Sequence, residues 1–156
     1  PTGRAKEMVD EELSAREYEA TLNLLAQEKK DPAWEIKVTC APHFNRILLQ
    51  SHSGDAGSLR GRGCMAGTGF CFISHRGDLQ PCGYLEIKCG NVREAGFRKA
   101  WLDSKELNSL RDWSGYKGKC GICEFKAVCG GCRARAWAKY QDYLREEPYC
   151  TYEPRR

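Results

Sequence analysis

Four cysteines fall within thirteen residues at Cys120-Gly-Ile-Cys123-Glu-Phe-Lys-Ala-Val-Cys129-Gly-Gly-Cys132. This run restricts what the chain can fold into more than any other stretch. Thiols so close together bind a metal, pair as disulfides or do redox chemistry. A zinc ribbon needs two CxxC knuckles with roughly fifteen to twenty residues between them. Here five residues separate the pairs, so bringing both onto one tetrahedral ion would strain the loop. Iron–sulfur proteins use such a run differently, with three thiolates on one cluster and the fourth on another. That solution needs partner thiols elsewhere, and six of the ten cysteines lie outside the run. The spacing points to iron–sulfur binding.

The rest of the composition bounds the setting. A chain of 156 residues, 41% hydrophobic and 29% charged, has room for one ordinary core or two small lobes. No apolar run reaches membrane-spanning length, and Pro1-Thr-Gly-Arg-Ala-Lys6 is no signal peptide. Ten cysteines in such a chain suit a metal site in the reducing cytoplasm better than an extracellular disulfide framework. The net charge of +4 favours an anionic ligand and does not demand nucleic acid. The opening without Met suggests a fragment.

Local patterns predict an α+β fold of short helices and one β-hairpin. Ser14-Ala-Arg-Glu17 reads as a capping box, and Tyr18, Leu22, Leu25 and Ala26 recur at helical spacing toward Lys30. Trp34 to Thr39 alternates as a short strand, and Phe44 to Gln50 suits a short helix. Ser51 to Gly63, rich in Ser, Gly and Arg, reads as a mobile linker. Phe70 to Ser74 and Leu79 to Cys82 flank a turn at Gly77, which predicts the hairpin. Val92, Phe97 and Trp101 are expected core anchors, and Ser104 an N-cap for a helix carrying Leu107 and Leu110. A further helix is expected from Arg133 to about Tyr143, and there is no internal repeat.

Eight thiols divide into two sets of four, matching one thiolate per iron of a cubane. Cys64, Cys71, Cys82 and Cys132 form the first, with Cys64 ahead of the hairpin and Cys71 and Cys82 on its strands. Cys120, Cys123, Cys129 and Cys150 form the second.

At these residues the chain resembles a known family. Cys64, twelve residues, Gly77, four residues and Cys82, then the Cys120–Cys132 run and distant Cys150, resemble the SPASM signature. SPASM domains extend radical S-adenosylmethionine enzymes, and the resemblance implies two auxiliary [4Fe-4S] clusters. The usual pattern has three residues before the last cysteine of the run, and Gly130-Gly131 gives two. Either Cys132 or Cys89 therefore completes the first set. Pro1-Thr-Gly-Arg4, Thr39-Cys-Ala-Pro-His43, Gly67-Thr-Gly-Phe-Cys-Phe-Ile-Ser-His75, Pro81-Cys-Gly-Tyr-Leu85 and Cys129-Gly-Gly-Cys-Arg-Ala-Arg135 resemble the radical SAM heme synthases of the siroheme-dependent pathway.

That resemblance implies oxidative decarboxylation of two propionates of an anionic porphyrin, iron-coproporphyrin III, to vinyls, with the clusters accepting or relaying electrons. The electron acceptor is open. The sister enzymes (didecarboxysiroheme deacetylase and the heme d1 pathway) and a peptide maturase are the alternatives. A zinc-stabilised binding module is the alternative of another class, zinc being the metal such a domain takes up in air. No CxxxCxxC run occurs, so S-adenosylmethionine is expected only in the full-length enzyme, and the chain is expected to be inactive alone. The implied division is the end of the radical SAM barrel at 1–33, a bridge and linker at 34–63, and the cluster domain at 64–156.

Cys40, His43, Arg133 and Arg135 are candidate substrate contacts. The plainer expectations are a buried thiol for Cys40, a packed His43, a solvated His75, solvated helix positions for Arg133 and Arg135, and a core thiol for Cys89. Trp101, Trp113 and Trp137 are expected in the core.

Overall fold

A computed structural model describes residues 3–51 and 63–155. After a 3-10 segment at Gly3–Glu11, helix α1 spans Ala15–Glu28. Its start is the capping box read from the sequence: the Ser14 hydroxyl accepts from Glu17 N–H, and the Glu17 carboxylate accepts from Ser14 N–H at 2.8 Å. The next helix, α2 (His43–Ser51), packs on α1 through Leu22, Ala26, Phe44, Ile47 and Leu48. These residues form an N-terminal core cluster.

Residues 34–38 form no strand, contrary to the alternation of Ile36 and Val38. An extended segment becomes a strand only by pairing, and none of the described residues pairs with this one. Trp34 is correspondingly exposed. Of the expected linker, residues 52–62 lie outside the described residues.

The hairpin forms as expected. Strands β1 (Phe72–Ile73) and β2 (Leu79–Gln80) pair antiparallel, with Phe72 opposite Gln80 and Ile73 opposite Leu79. Gly77 sits at φ 87° in the turn, where a side chain would be strained. Asp78 fixes the turn to the following segment: its carboxylate accepts from Asn91 Nδ2 at 2.9 Å and pairs with Lys88 at 2.8 Å.

Short helices α3 (Val92–Ala95), α4 (Phe97–Asp103), α5 (Lys105–Arg111), α6 (Gly118–Ile122) and α7 (Arg133–Tyr140) follow. Ser104 caps α5 as predicted, accepting from Leu107 N–H. Two more apolar clusters hold this half together. Ala66, Cys82, Leu85 and Leu110 make one, and Leu79, Cys89, Ala100 and Leu107 the other, with Ile87 packed against both. Phe97 is not an anchor: it is half exposed and stacks on Trp101 from outside. Trp101, Trp113 and Trp137 are half-buried rather than central.

The two halves meet through α2. Asn45 donates to Val128 O at 3.1 Å, and the Arg46 guanidinium lies 5.0 Å from the Tyr152 ring. Docking α2 on the cysteine loop positions the site.

Candidate metal centre

The run Cys120–Cys132 folds around a small cavity lined by Cys120, Cys123, Cys129 and Cys150. Local chemistry sets this shape. Cys120 lies within α6 and Cys123 directly follows it. A tight turn then hydrogen-bonds Cys129 N–H to Phe125 O at 2.8 Å. Gly130 and Gly131 adopt φ 70° and 61°, two consecutive left-handed residues that reverse the chain in front of α7. Gly131 N–H donates to Cys129 Sγ at 3.4 Å, and Glu147 N–H to Cys120 Sγ at 3.4 Å. Burial pushes the Cys129 thiol up to about 12 and the Cys150 thiol up to about 11. Thiols so buried become thiolates by giving their protons up to a bound metal.

Among the described residues, no three His, Cys, Asp or Glu side chains converge as ligands of a single ion. The four thiols instead ring a cavity. A cubane takes one thiolate on each of four irons, so its ligands surround it rather than meet at one atom. Cationic side chains complete the lining: Arg46, Lys119 and Lys126 also face this space, which suits an anionic group. The donor set fits a [4Fe-4S] cluster, which needs one thiolate per iron.

The first set is assembled in part. Cys64 is tied to the same loop through its N–H to Cys129 O at 3.3 Å. Burial raises the Cys82 thiol, the N–H groups of Tyr84 and Leu85 oppose that shift, and the nearby Cys64 and Cys40 thiols add to it. Burial pushes Cys132 up to about 11, with Cys64 again among the neighbours that act on it. Cys64, Cys82 and Cys132 thus share one neighbourhood. Cys71 packs instead against the apolar cluster that contains Cys89. Cys89 is the core thiol expected of it; burial pushes its pKa to about 11.

The remaining candidates fall on both sides of the protein surface. Cys40 is exposed, not buried, at φ 57°. His75 is exposed at the hairpin tip. His43 is fully buried, and burial pushes its pKa down to about 4 against the pull of Glu147. Arg133 is no solvated helix position. It is 2% exposed, donates to Tyr143 O, Arg145 O and Cys120 Sγ, and lies over the Tyr116 ring at 4.6 Å. Arg135 is half-buried and donates to Glu147 Oε1 at 2.9 Å.

Sequence reasoning missed Glu147 and Arg46. Glu147 is 1% exposed and receives Cys132 N–H, Arg135 Nε and Tyr149 N–H. Nothing in Arg145-Glu-Glu-Pro148 distinguishes it from a solvated acidic residue. Arg46 is 3% exposed and is held by Glu19 and Gln50.

Residues 64–133 match the SPASM family, an iron-sulfur cluster-binding domain, and the match places a SPASM-type domain there. The chain is 47% identical over its whole length to an AdoMet-dependent heme synthase of Nitratidesulfovibrio vulgaris, covering 45% of that protein. Against the AdoMet-dependent heme synthase of Methanosarcina barkeri the identity is 45%, over 99% of this chain and 46% of the relative. A pre-heme d1 synthase of Dinoroseobacter shibae is more distant, at 35% identity over 56% of the chain and 23% of the relative. The chain thus spans a little under half the length of the curated heme synthases it matches. No solved structure matches significantly. Among the described residues no helix is long and apolar enough to cross a membrane.

Proposed function

We propose that this domain holds two [4Fe-4S] clusters, one on Cys64, Cys71, Cys82 and Cys132 and one on Cys120, Cys123, Cys129 and Cys150. The observation that carries this reading is the cavity ringed by the four thiols of the second set. The first set rests on the shared neighbourhood of Cys64, Cys82 and Cys132; Cys71 has to swing from its apolar packing to join them. The domain proper is residues 64–156, preceded by the end of a radical SAM barrel at 1–33 and a bridge at 34–63. All ten cysteines are free, in keeping with a reducing compartment such as the cytoplasm.

In the full-length enzyme the domain supports oxidative decarboxylation of two propionates of iron-coproporphyrin III to vinyl groups. Support for this comes from the names of the relatives at 44–47% identity. When bound, clusters of this type supply one-electron acceptors beside the reacting propionate. The residues here would hold them, with Gly131 and Glu147 N–H groups donating to the liganding sulfurs of Cys129 and Cys120. Exposed Cys40, whose thiol acts on that of Cys82, is the candidate substrate contact in this reading.

Anaerobic reconstitution with iron and sulfide tests the cluster reading. About eight irons per chain, with matching sulfide and a visible band bleached by dithionite, support two cubanes. Cys123→Ala then loses about four irons. Uptake of zinc alone, with no iron–sulfide chromophore, overturns the reading. The electron role is tested in the full-length enzyme. Cys123→Ala that still cleaves S-adenosylmethionine but no longer forms vinyl product supports it, and unimpaired vinyl formation overturns it.

A further inference from the structure

Two side chains of α2 are buried in the wall of the Cys120 cavity with donors that meet nothing. His43 is fully buried, and neither ring nitrogen has a hydrogen-bond partner. Arg46, one turn further along, is 3% exposed, and its Nε is likewise unpartnered. Both line the cavity with Cys120, Cys123, Cys129 and Cys150. Residues three apart lie on one helical face, so α2 presents both to the same space.

Such groups are costly to bury without a partner. A buried donor left unsatisfied forfeits its hydration with nothing in return, and nearly all buried polar groups in native proteins are paired. Both Nη atoms of Arg46 have partners: Nη1 donates to Gln50 and Nη2 to Glu19, both at 2.6 Å. Its orientation is therefore set by protein partners, and Nε is what remains for the cavity. His43 is held by an edge contact with the Tyr18 ring, 5.4 Å between centroids. Glu147 Oε2 lies 3.9 Å from its Nε2, beyond hydrogen-bond distance, and Arg135, Arg46 and Glu19 also act on the ring electrostatically.

We propose that His43 and Arg46 are the hydrogen-bond donors that set the reduction potential of the cluster held by Cys120, Cys123, Cys129 and Cys150. The inference rests on the cluster assignment above. Four thiols already supply one ligand per iron, so neither side chain is needed as a ligand. Reduction adds one electron and one negative charge to the cluster, and no bond forms or breaks. Donors and a fixed positive charge stabilise the more negative form more strongly, so both residues raise the potential. They are positioning residues, acting on the cluster and not on substrate.

The test is a redox titration of the anaerobically reconstituted chain, followed by electron paramagnetic resonance. The step lost in Cys123→Ala identifies this cluster. His43→Leu removes the donor and lowers the midpoint of that step at unchanged iron content. His43→Gln keeps an N–H and shifts it less. Arg46→Met lowers it as well. A tenfold loss in the reduction equilibrium corresponds to about 59 mV for one electron. An unchanged midpoint in His43→Leu with full iron overturns the inference. If His43→Leu fails to load, the unsubstituted chain decides: 15N-labelled histidine should show hyperfine coupling to the reduced cluster that disappears in His43→Gln, and its absence overturns the assignment. If Cys123→Ala keeps all its iron, the ligand set fails first, and the donor inference fails with it.

Discussion

Cys132 N–H donates to Glu147 Oε2 at 2.6 Å, while the N–H of the same Glu147 donates to Cys120 Sγ at 3.4 Å. One buried residue therefore links a proposed ligand of each cluster. Its other carboxylate oxygen accepts from Arg135 Nε and Tyr149 N–H. Glu147→Gln keeps the shape but replaces one acceptor by a donor, at a cost of about 1–3 kcal/mol. Glu147→Ala also leaves Arg135 without its counter-charge, at about 3–5 kcal/mol. Urea denaturation of the cluster-loaded chain measures both. An Ala variant as stable as the parent would show that this buried pair contributes nothing.

Gly131 is the second position where the backbone leaves little choice. At φ 61° a side chain is strained by about 1–2 kcal/mol. A Cβ there would also meet Glu147 Cβ at 2.9 Å and Cys120 Sγ at 3.2 Å, and would collide with the Arg133 guanidinium. Gly131→Ala should therefore load fewer irons and unfold at lower urea than the parent. Iron content and the denaturation midpoint check it; full loading at unchanged stability would mean that the two-residue spacing is not a close-packed reversal.

Local features were legible in the sequence because their causes are local. The Ser14–Glu17 capping box, the Gly77 turn and the Ser104 cap each need only a few neighbouring residues. Cys120, Cys123, Cys129 and Cys150, grouped from the sequence by their number, line one cavity. The rest depends on tertiary partners. Trp34 to Thr39 alternates like a strand but has no strand beside it among the described residues. Arg133 reads as solvated, yet the carbonyls of Tyr143 and Arg145 and the Tyr116 ring enclose it. Those acceptors come from a segment ten or more residues away, and no periodicity encodes them. The burial of Glu147 and Arg46 has the same origin: each is the counter-charge of a partner on another element.

Cys40 and Cys89 lie outside both ligand sets, and their surroundings differ sharply. Cys40 is exposed. Cys89 is 5% exposed, and burial pushes its pKa to about 11. At pH 8 about one part in a thousand of the Cys89 thiol is therefore reactive thiolate. Alkylation of the loaded, folded chain with iodoacetamide should label Cys40 first and leave Cys89 intact until the chain is unfolded. Peptide mapping by mass spectrometry reads the order directly. Equal labelling of the two in the folded state would contradict the burial of Cys89.

The same contrast separates the two candidates for the fourth ligand of the first cluster. Cys132 lies near Cys64, and Glu147 holds its N–H, so its position is shared with the proposed ligands. Cys89 sits in a different apolar cluster, its thiol directed at Ile87 O at 3.5 Å. Reaching a cluster beside Cys64 and Cys82 would require Cys89 to leave a core position between Leu79 and Leu107. Cys132→Ala should accordingly lose about four irons, whereas Cys89→Ala keeps its full iron and loses only packing. Deleting one sulfur from a buried site costs about 1 kcal/mol on the scale of single-group core truncations, so Cys89→Ala should still fold. Iron and sulfide analysis of the two variants, reconstituted side by side, decides between them. Loss of iron from Cys89→Ala with retention in Cys132→Ala would reverse the assignment and require the segment around Cys89 to repack when the cluster binds.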